Sequence, residues 1–234
     1  MKAEGLILDY GGTLDTGGNH WGRVLWQTYL QTGVAVTEQQ FREAYVYAER
    51  YLAKTPVICP DDTFRQTLAA KVELQFRYLH SMGCEVGQSL PVVEAAYAVA
   101  RRCTAHSREV LQLLHEQFPL ALVSNFYGNI HTVLREFGFD GLFRAVIESA
   151  AVGIRKPDAR IFSMGVEALG LPPQQVVVVG DSMEKDILPA REAGCQTVWL
   201  RGLCWTDEEP DSSAADAVIS DLAELLMLPL YSRT

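Results

Sequence analysis

Apolar residues follow two rhythms along this chain. Short continuous runs occur at Leu6-Ile7-Leu8, Leu120 to Val123, Ala145 to Ile147, Val176 to Val179, Thr197 to Leu200 and Ala217 to Ile219. Bounded by turn residues, they read as strands, the most apolar of them buried on both faces. From residue 119 onward these runs alternate with helical stretches at Ile130 to Phe137, Ala159 to Leu169 and Glu184 to Ala193, with a last helix from Asp221 to Leu226. Strands alternating with helices predict right-handed βαβ units on a mostly parallel sheet.

The second rhythm fills the gap between the first strand and the rest. Phe41, Ala44, Tyr45, Ala48 and Leu52 recur at helical spacing, and so do Phe64, Leu68, Val72, Phe76 and Leu79. The stretch from Lys54 to Asp62, with Pro56 and Pro60, separates the two helices, and Asp62 or Thr63 can cap the second. The block also carries Trp21, Trp26, Tyr29, Tyr45, Tyr47 and Tyr51, rings that suit the block's own core, with a minority left to face a site. Gly83 to Pro91 reads as the return linker, followed by a helix from Val92 to Arg102 and a second one from Ser107, as N-cap, to Phe118. A helical block therefore interrupts a single α/β domain.

Composition narrows the function without naming it. The chain has 234 residues, 48% of them hydrophobic and 21% charged, as in ordinary globular proteins. A net charge of −9 argues against a nucleic-acid surface, which needs clustered Lys and Arg. It leaves room for a phosphorylated small molecule, because one metal ion and one lysine reverse the sign locally. The five cysteines are scattered and lack CxxC spacing, which suits reduced thiols. Only four apolar residues lie near the N-terminus before Asp9, too few for a signal peptide or a membrane span, and the expected location is the cytoplasm.

Asp9 stands where the first strand should end, followed after Tyr10 by Gly11 and Gly12. Ligands of open parallel sheets sit beyond the carboxyl ends of the strands. Alone, the stretch equally suits a strand closing on a turn. Asp181 follows Val176 to Gly180 in the same way. Two carboxylates at neighbouring strand ends repel unless a cation lies between them, and hard oxygen ligands with room for water suit Mg²⁺.

Four segments in order, Asp9 with Thr13, Ser124-Asn125, Lys156-Pro157-Asp158, and Gly180-Asp181-Ser182 with Asp186, resemble the signature motifs of the haloacid dehalogenase-like hydrolase superfamily. The resemblance runs from residue 5 to about residue 200. It implies a Rossmann-like core, residues 1–16 and 83–234, with a helical cap inserted at 17–82. It further implies Asp9 as a nucleophile that forms an aspartyl phosphate, and Mg²⁺ held by Asp9, Asp181 and the main-chain carbonyl of Gly11. Thr13, Ser124 and Asn125 would hold phosphate oxygens, Lys156 would neutralise developing charge, and Asp186 would stand behind the metal or on Lys156. The implied reaction is hydrolysis of a small phosphorylated metabolite.

One position departs from the pattern. Phosphatases of the superfamily carry an acid–base aspartate two residues after the nucleophile, where this chain has Gly11. Such a group is typically worth about 10²–10⁴-fold. Asp15, His20 or Tyr10 could substitute, or the leaving group could need no proton. Dehalogenases of the superfamily also lack that aspartate, but their fourth motif does not resemble Gly180-Asp181-Ser182 with Asp186, so phosphate chemistry is the preferred expectation. The alternatives are a dehalogenase, or a weakened member that binds a phosphoryl ligand or a protein partner. The sequence contains no GxxxxGK[ST], HExxH, GxSxG or GxGxxG motif.

Overall fold

Among the described residues, six parallel strands form the centre of the protein. A computed structural model describes residues 3–206 and 210–229. β1 (Gly5–Leu8) lies between β2 (Leu120–Ser124) and β4 (Val176–Gly180), with Leu8 opposite both Leu122 and Val179. Outside them lie β3 (Ala145–Glu148) on one side and β5 (Gln196–Leu200) and β6 (Ala217–Ile219) on the other. This α/β architecture, Rossmann-like and fully parallel, is the one the alternating pattern predicts. Its order brings the carboxyl ends of the three central strands side by side, and with them Asp9, Ser124 and Gly180.

Alternate side chains of a strand point to opposite faces, so each central strand serves two cores. Ile7, Ala121, Val123, Val176 and Val178 share one apolar cluster with Ile161, Phe162 and Val166 of the helix Arg160–Leu169. Leu6, Leu8, Leu122, Val177 and Val179 belong to a larger cluster on the opposite face. That cluster continues through α4 (Leu90–His115) into α1 (Trp21–Gln31), α2 (Glu38–Leu52) and α3 (Phe64–Ser81), where it includes Leu25, Tyr29, Phe41 and Val72. Full burial of such a side chain is worth about 1.5–3 kcal/mol, so the inserted helices and the sheet stabilise one another.

Both long helices of the insertion start on a capping box. The Thr37 side chain accepts from the Gln40 N–H, Thr63 accepts from the Gln66 N–H, and each glutamine reaches back to its threonine. Asp62, the other candidate cap of α3, instead accepts from the Cys59 N–H at 2.8 Å. Of the six insertion rings, Tyr29 and Tyr45 are buried, whereas Tyr47 and Tyr51 remain 39% and 37% exposed.

The break expected between Arg102 and Ser107 does not exist. α4 runs without interruption for 26 residues, because nothing between Cys103 and His106 is a helix breaker. Ser107 lies mid-helix rather than at an N-cap, and its hydroxyl donates to the Leu14 carbonyl at 2.8 Å. The last expected helix, Asp221 to Leu226, is a 3₁₀ segment (Leu222–Leu226) capped by Asp221. Among the described residues no helix is long and apolar enough to cross a membrane.

Candidate active site

The site grows from the ends of β1 and β4. Asp9 directly follows β1, and its N–H donates to the Val179 carbonyl at 3.0 Å, so the sheet ladder fixes its backbone. Lys156 is buried although the residues on either side of it are exposed, and the Asn125 side chain grips it twice. The Lys156 N–H donates to Asn125 Oδ1 at 2.9 Å, and Asn125 Nδ2 donates to the Lys156 carbonyl at 3.1 Å. Asn125 thus orients the lysine. Lys156 Nζ then donates to Asp9 Oδ1 and to Asp186 Oδ1, each at 2.6 Å.

Thr13 is fully buried. Its hydroxyl lies 3.0 Å from Asp181 Oδ1 and 3.3 Å from Asp9 Oδ2, and it accepts from the Asp181 N–H at 3.0 Å. It bridges the two strand-end carboxylates. The Ser182 N–H holds Asp186 Oδ2 at 3.0 Å from the wide π-type turn Met183–Ile187. Ser124 lines the same cavity as Asp9, as do Asn125, Lys156, Asp181, Asp186 and the exposed Gly11.

Charge in this cluster does not balance. One ammonium faces three carboxylates, the buried Asp9 and Asp186 and the half-buried Asp181, whose oxygens lie within 4.8 Å of one another. Burial works against the charge of Lys156, but Asp186 and Asp9 outweigh it and hold the ammonium above its usual range. Asp181 is bonded by the Thr13 hydroxyl rather than by the ammonium. Burial, then the Asp186 and Asp9 charges, raise its carboxyl well above the usual carboxylate range. A hard cation relieves that excess, so the donor set fits a divalent metal ion.

The three substitutes for an acid–base group fall in different places. Tyr10 is fully buried, edge-on to Phe64 and Phe126, with its hydroxyl pushed up by burial and then by Asp15. Asp15 and His20 both line the cavity. Asp15 accepts from the Gly12 N–H at 2.7 Å and from Trp21 Nε1 at 2.9 Å, and burial raises its carboxyl to about 7. His20 caps α1, its Nδ1 accepting from the Gly22 N–H at 3.0 Å. That bond places the imidazole proton on Nε2, and burial, followed by Lys185, lowers the group to about 4. His20 is therefore a neutral hydrogen-bond donor, with no free lone pair to take a proton.

The cavity, about 520 Å³, extends from Asp9 toward the inserted helices, where Trp21, Tyr45, Glu49, Phe64 and Lys71 line it. The sequence motifs do not mark Glu49 or Lys71. The only available signal was position: Lys71 continues the line Thr67-Lys71-Gln75 beside the apolar stripe of α3, and all three are buried.

The sequence model of one family, haloacid dehalogenase-like hydrolase, matches residues 4–194. The chain belongs to the haloacid dehalogenase-like hydrolases. Among relatives of this family, a phosphoserine phosphatase of Thermus thermophilus is 42% identical over 86 residues, which is 36% of this chain and 33% of that protein. The match thus spans about a third of that relative. A phosphoglycolate phosphatase of Mannheimia succiniciproducens is 31% identical over 71% of this chain and 68% of its own length. The Escherichia coli pyrimidine 5'-nucleotidase YjjG is 26% identical across 97% of the chain and 98% of its own. In fold, the chain is similar to a dehalogenase in an intermediate complex, with a TM-score of 0.66 at 16% identity, covering 100% of this chain and 99% of the other.

Proposed function

We propose that this haloacid dehalogenase-like hydrolase is a Mg²⁺-dependent phosphatase of a small phosphorylated metabolite, working through an aspartyl phosphate on Asp9. The observation that carries this reading is the meeting of Asp9, Lys156, Asp181 and Asp186 at one end of a cavity of metabolite size. Relatives named as phosphatases support it. Residues 17–82 form the cap over a core of residues 1–16 and 83–234.

Asp9 and Asp181, with the Gly11 carbonyl, would hold Mg²⁺. When bound, the ion supplies positive charge to phosphate oxygens and offsets the excess of carboxylates. The Asp9 carboxylate attacks phosphorus, the bond from phosphorus to the ester oxygen breaks, and that oxygen takes a proton from Asp15 or from solvent as it leaves. Water then cleaves the acyl phosphate, releasing inorganic phosphate and restoring Asp9. Lys156 holds Asp9 in one rotamer for attack and neutralises charge as it develops. Thr13 fixes the other Asp9 oxygen, and Ser124 stands on the phosphate's side of the cavity.

The deciding experiment measures phosphoester and haloacid turnover by the wild type and by Asp9→Asn, with and without Mg²⁺. Asp9→Asn should abolish Mg²⁺-dependent phosphate release and leave the thermal melt unchanged. Retention of most of the wild-type rate overturns covalent catalysis by Asp9. Halide release in place of phosphate release makes the protein a dehalogenase.

A further inference from the structure

The cavity has a second charged end that the reaction at Asp9 does not use. Lys71 on α3, only 7% exposed, places Nζ 2.7 Å from Glu49 Oε1 on α2. The Tyr127 hydroxyl donates to Glu49 Oε2 at 3.2 Å, and the Tyr127 ring lies 5.4 Å from the same ammonium. Tyr127 follows the phosphate-side pair Ser124-Asn125 by two residues, so inserted helices and sheet loop build this cluster together. Lys71, Glu49 and Tyr127 line the same cavity as Asp9.

An ion pair placed there adds little to stability. Burial penalises both charges, and the pair's mutual attraction roughly offsets that cost. Burial pushes Lys71 down, but Glu49 outweighs it and keeps the ammonium well above its usual range; Lys71 in turn keeps Glu49 ionised against burial. The pair also has bonding capacity left over. The 2.7 Å contact engages one donor of Lys71 and one oxygen of Glu49, and Tyr127 bonds the other oxygen. An ammonium has three donors, and a carboxylate about four acceptor sites. Trp21, Tyr45, Phe64 and Phe126 line the cavity with these two groups.

We propose that Lys71 and Glu49 select the substrate by binding its leaving group, and that this group carries a donor and an acceptor side by side. The inference rests on the phosphatase reading given above. A lone carboxylate reaching Lys71 would also face Glu49, and a lone ammonium at Glu49 would face Lys71. An apolar group would leave the spare capacity unused. A leaving group with both satisfies both residues, and two chemistries provide it: the adjacent hydroxyls of a polyol, or the ammonium and carboxylate of an amino acid. The aromatic rings suit the carbon skeleton of either.

The test removes both charges together, so that neither is left buried alone. Wild type and Lys71→Met/Glu49→Gln are assayed with glycerol phosphate, O-phosphoserine and para-nitrophenyl phosphate, an aryl ester without the paired groups. For one of the first two esters, the ratio of its kcat/KM to that of the aryl ester should fall ~10- to 100-fold, the value of hydrogen bonds to charged groups. The ester whose ratio falls distinguishes a polyol from an amino acid. The same esters are titrated calorimetrically into Asp9→Asn with and without the double substitution, where Kd should rise by about tenfold or more even if turnover is lost. Unchanged ratios and affinities, in a wild type that hydrolyses phosphoesters, overturn this inference alone. A wild type that hydrolyses no phosphoester overturns the phosphatase reading and this inference with it.

Discussion

A β-carbon at Gly12 would lie 2.4 Å from Oδ1 of Asp181. The carboxylate occupies the space that any other residue's side chain would need, and Gly12 also has φ of +100°, where L-residues are strained. Gly12→Ala should therefore displace Asp181 and cost at least ~1–2 kcal/mol of stability from backbone strain alone. Denaturant titration together with Mg²⁺ calorimetry would check it, and a variant with unaltered stability and metal affinity would refute the close fit.

Gly11 is the opposite case. No atom lies within 4 Å of a β-carbon built there, and the residue has no positive φ. Gly11→Asp should fold normally and, if the missing acid–base group limits the rate, raise phosphoester hydrolysis by about one to two orders of magnitude. Steady-state kinetics with good and poor leaving groups tests this. A rate unchanged or lowered for both would show that another group, with Asp15 the better placed, already moves the proton.

Asp181→Asn should abolish Mg²⁺ binding while preserving the fold, since the amide still accepts a hydrogen bond from Thr13 but has lost its charge. Equal calorimetric isotherms for variant and wild type would rule out Asp181 as a ligand.

Asp15 makes stability depend on pH in a known direction. Its proton is held in the folded protein up to about 7, against an ordinary value of 3.8. The folded state therefore keeps a proton that the unfolded chain has released. The resulting stabilisation is present below the ordinary value and is lost as pH rises to about 7. Asp15→Asn removes this term. In metal-free protein the variant should gain stability relative to wild type between about pH 5 and about pH 7, by at most about 1.4 kcal/mol per pH unit. Urea midpoints at the two pH values measure it, and a constant difference would exclude a raised Asp15.

The inserted helices should close over the site as a unit. Hydrogen exchange at Gly17-Gly18 and at Gly83 to Gly87 should slow when Mg²⁺ and a metallofluoride bind, because these links flank α1–α3. Exchange rates unaffected in both links would argue for a fixed cap.

The sheet was legible because its strands are continuous apolar runs and each ends at a turn residue. Asp9 and Asp181 were marked in the same way, each directly following a strand run, whereas Lys156 and Asp186 stand off the strands and were marked only by the motif resemblance. Other features depend on three-dimensional contacts that no local pattern encodes. Ser107 resembles an N-cap until Leu14 is seen to accept its proton. Asn125 resembles a phosphate ligand, but the main chain of Lys156 occupies both ends of its amide. Lys71 and Glu49 are ordinary helix residues in sequence, and only the packing of α2 on α3 brings them together.

The uninterrupted α4 also bears on how rigid the catalytic loop is. At 1.5 Å per residue its 26 residues reach about 39 Å. It packs against α1 and α3 along its length and against the 3₁₀ segment beside β6. Mid-rod, the Ser107 hydroxyl suspends Leu14, the neighbour of Thr13. The loop cannot wobble there without pulling on the whole helix, so its stiffness is that of a beam rather than of a turn. Braced by this beam, the carboxylates that Thr13 bridges keep their spacing.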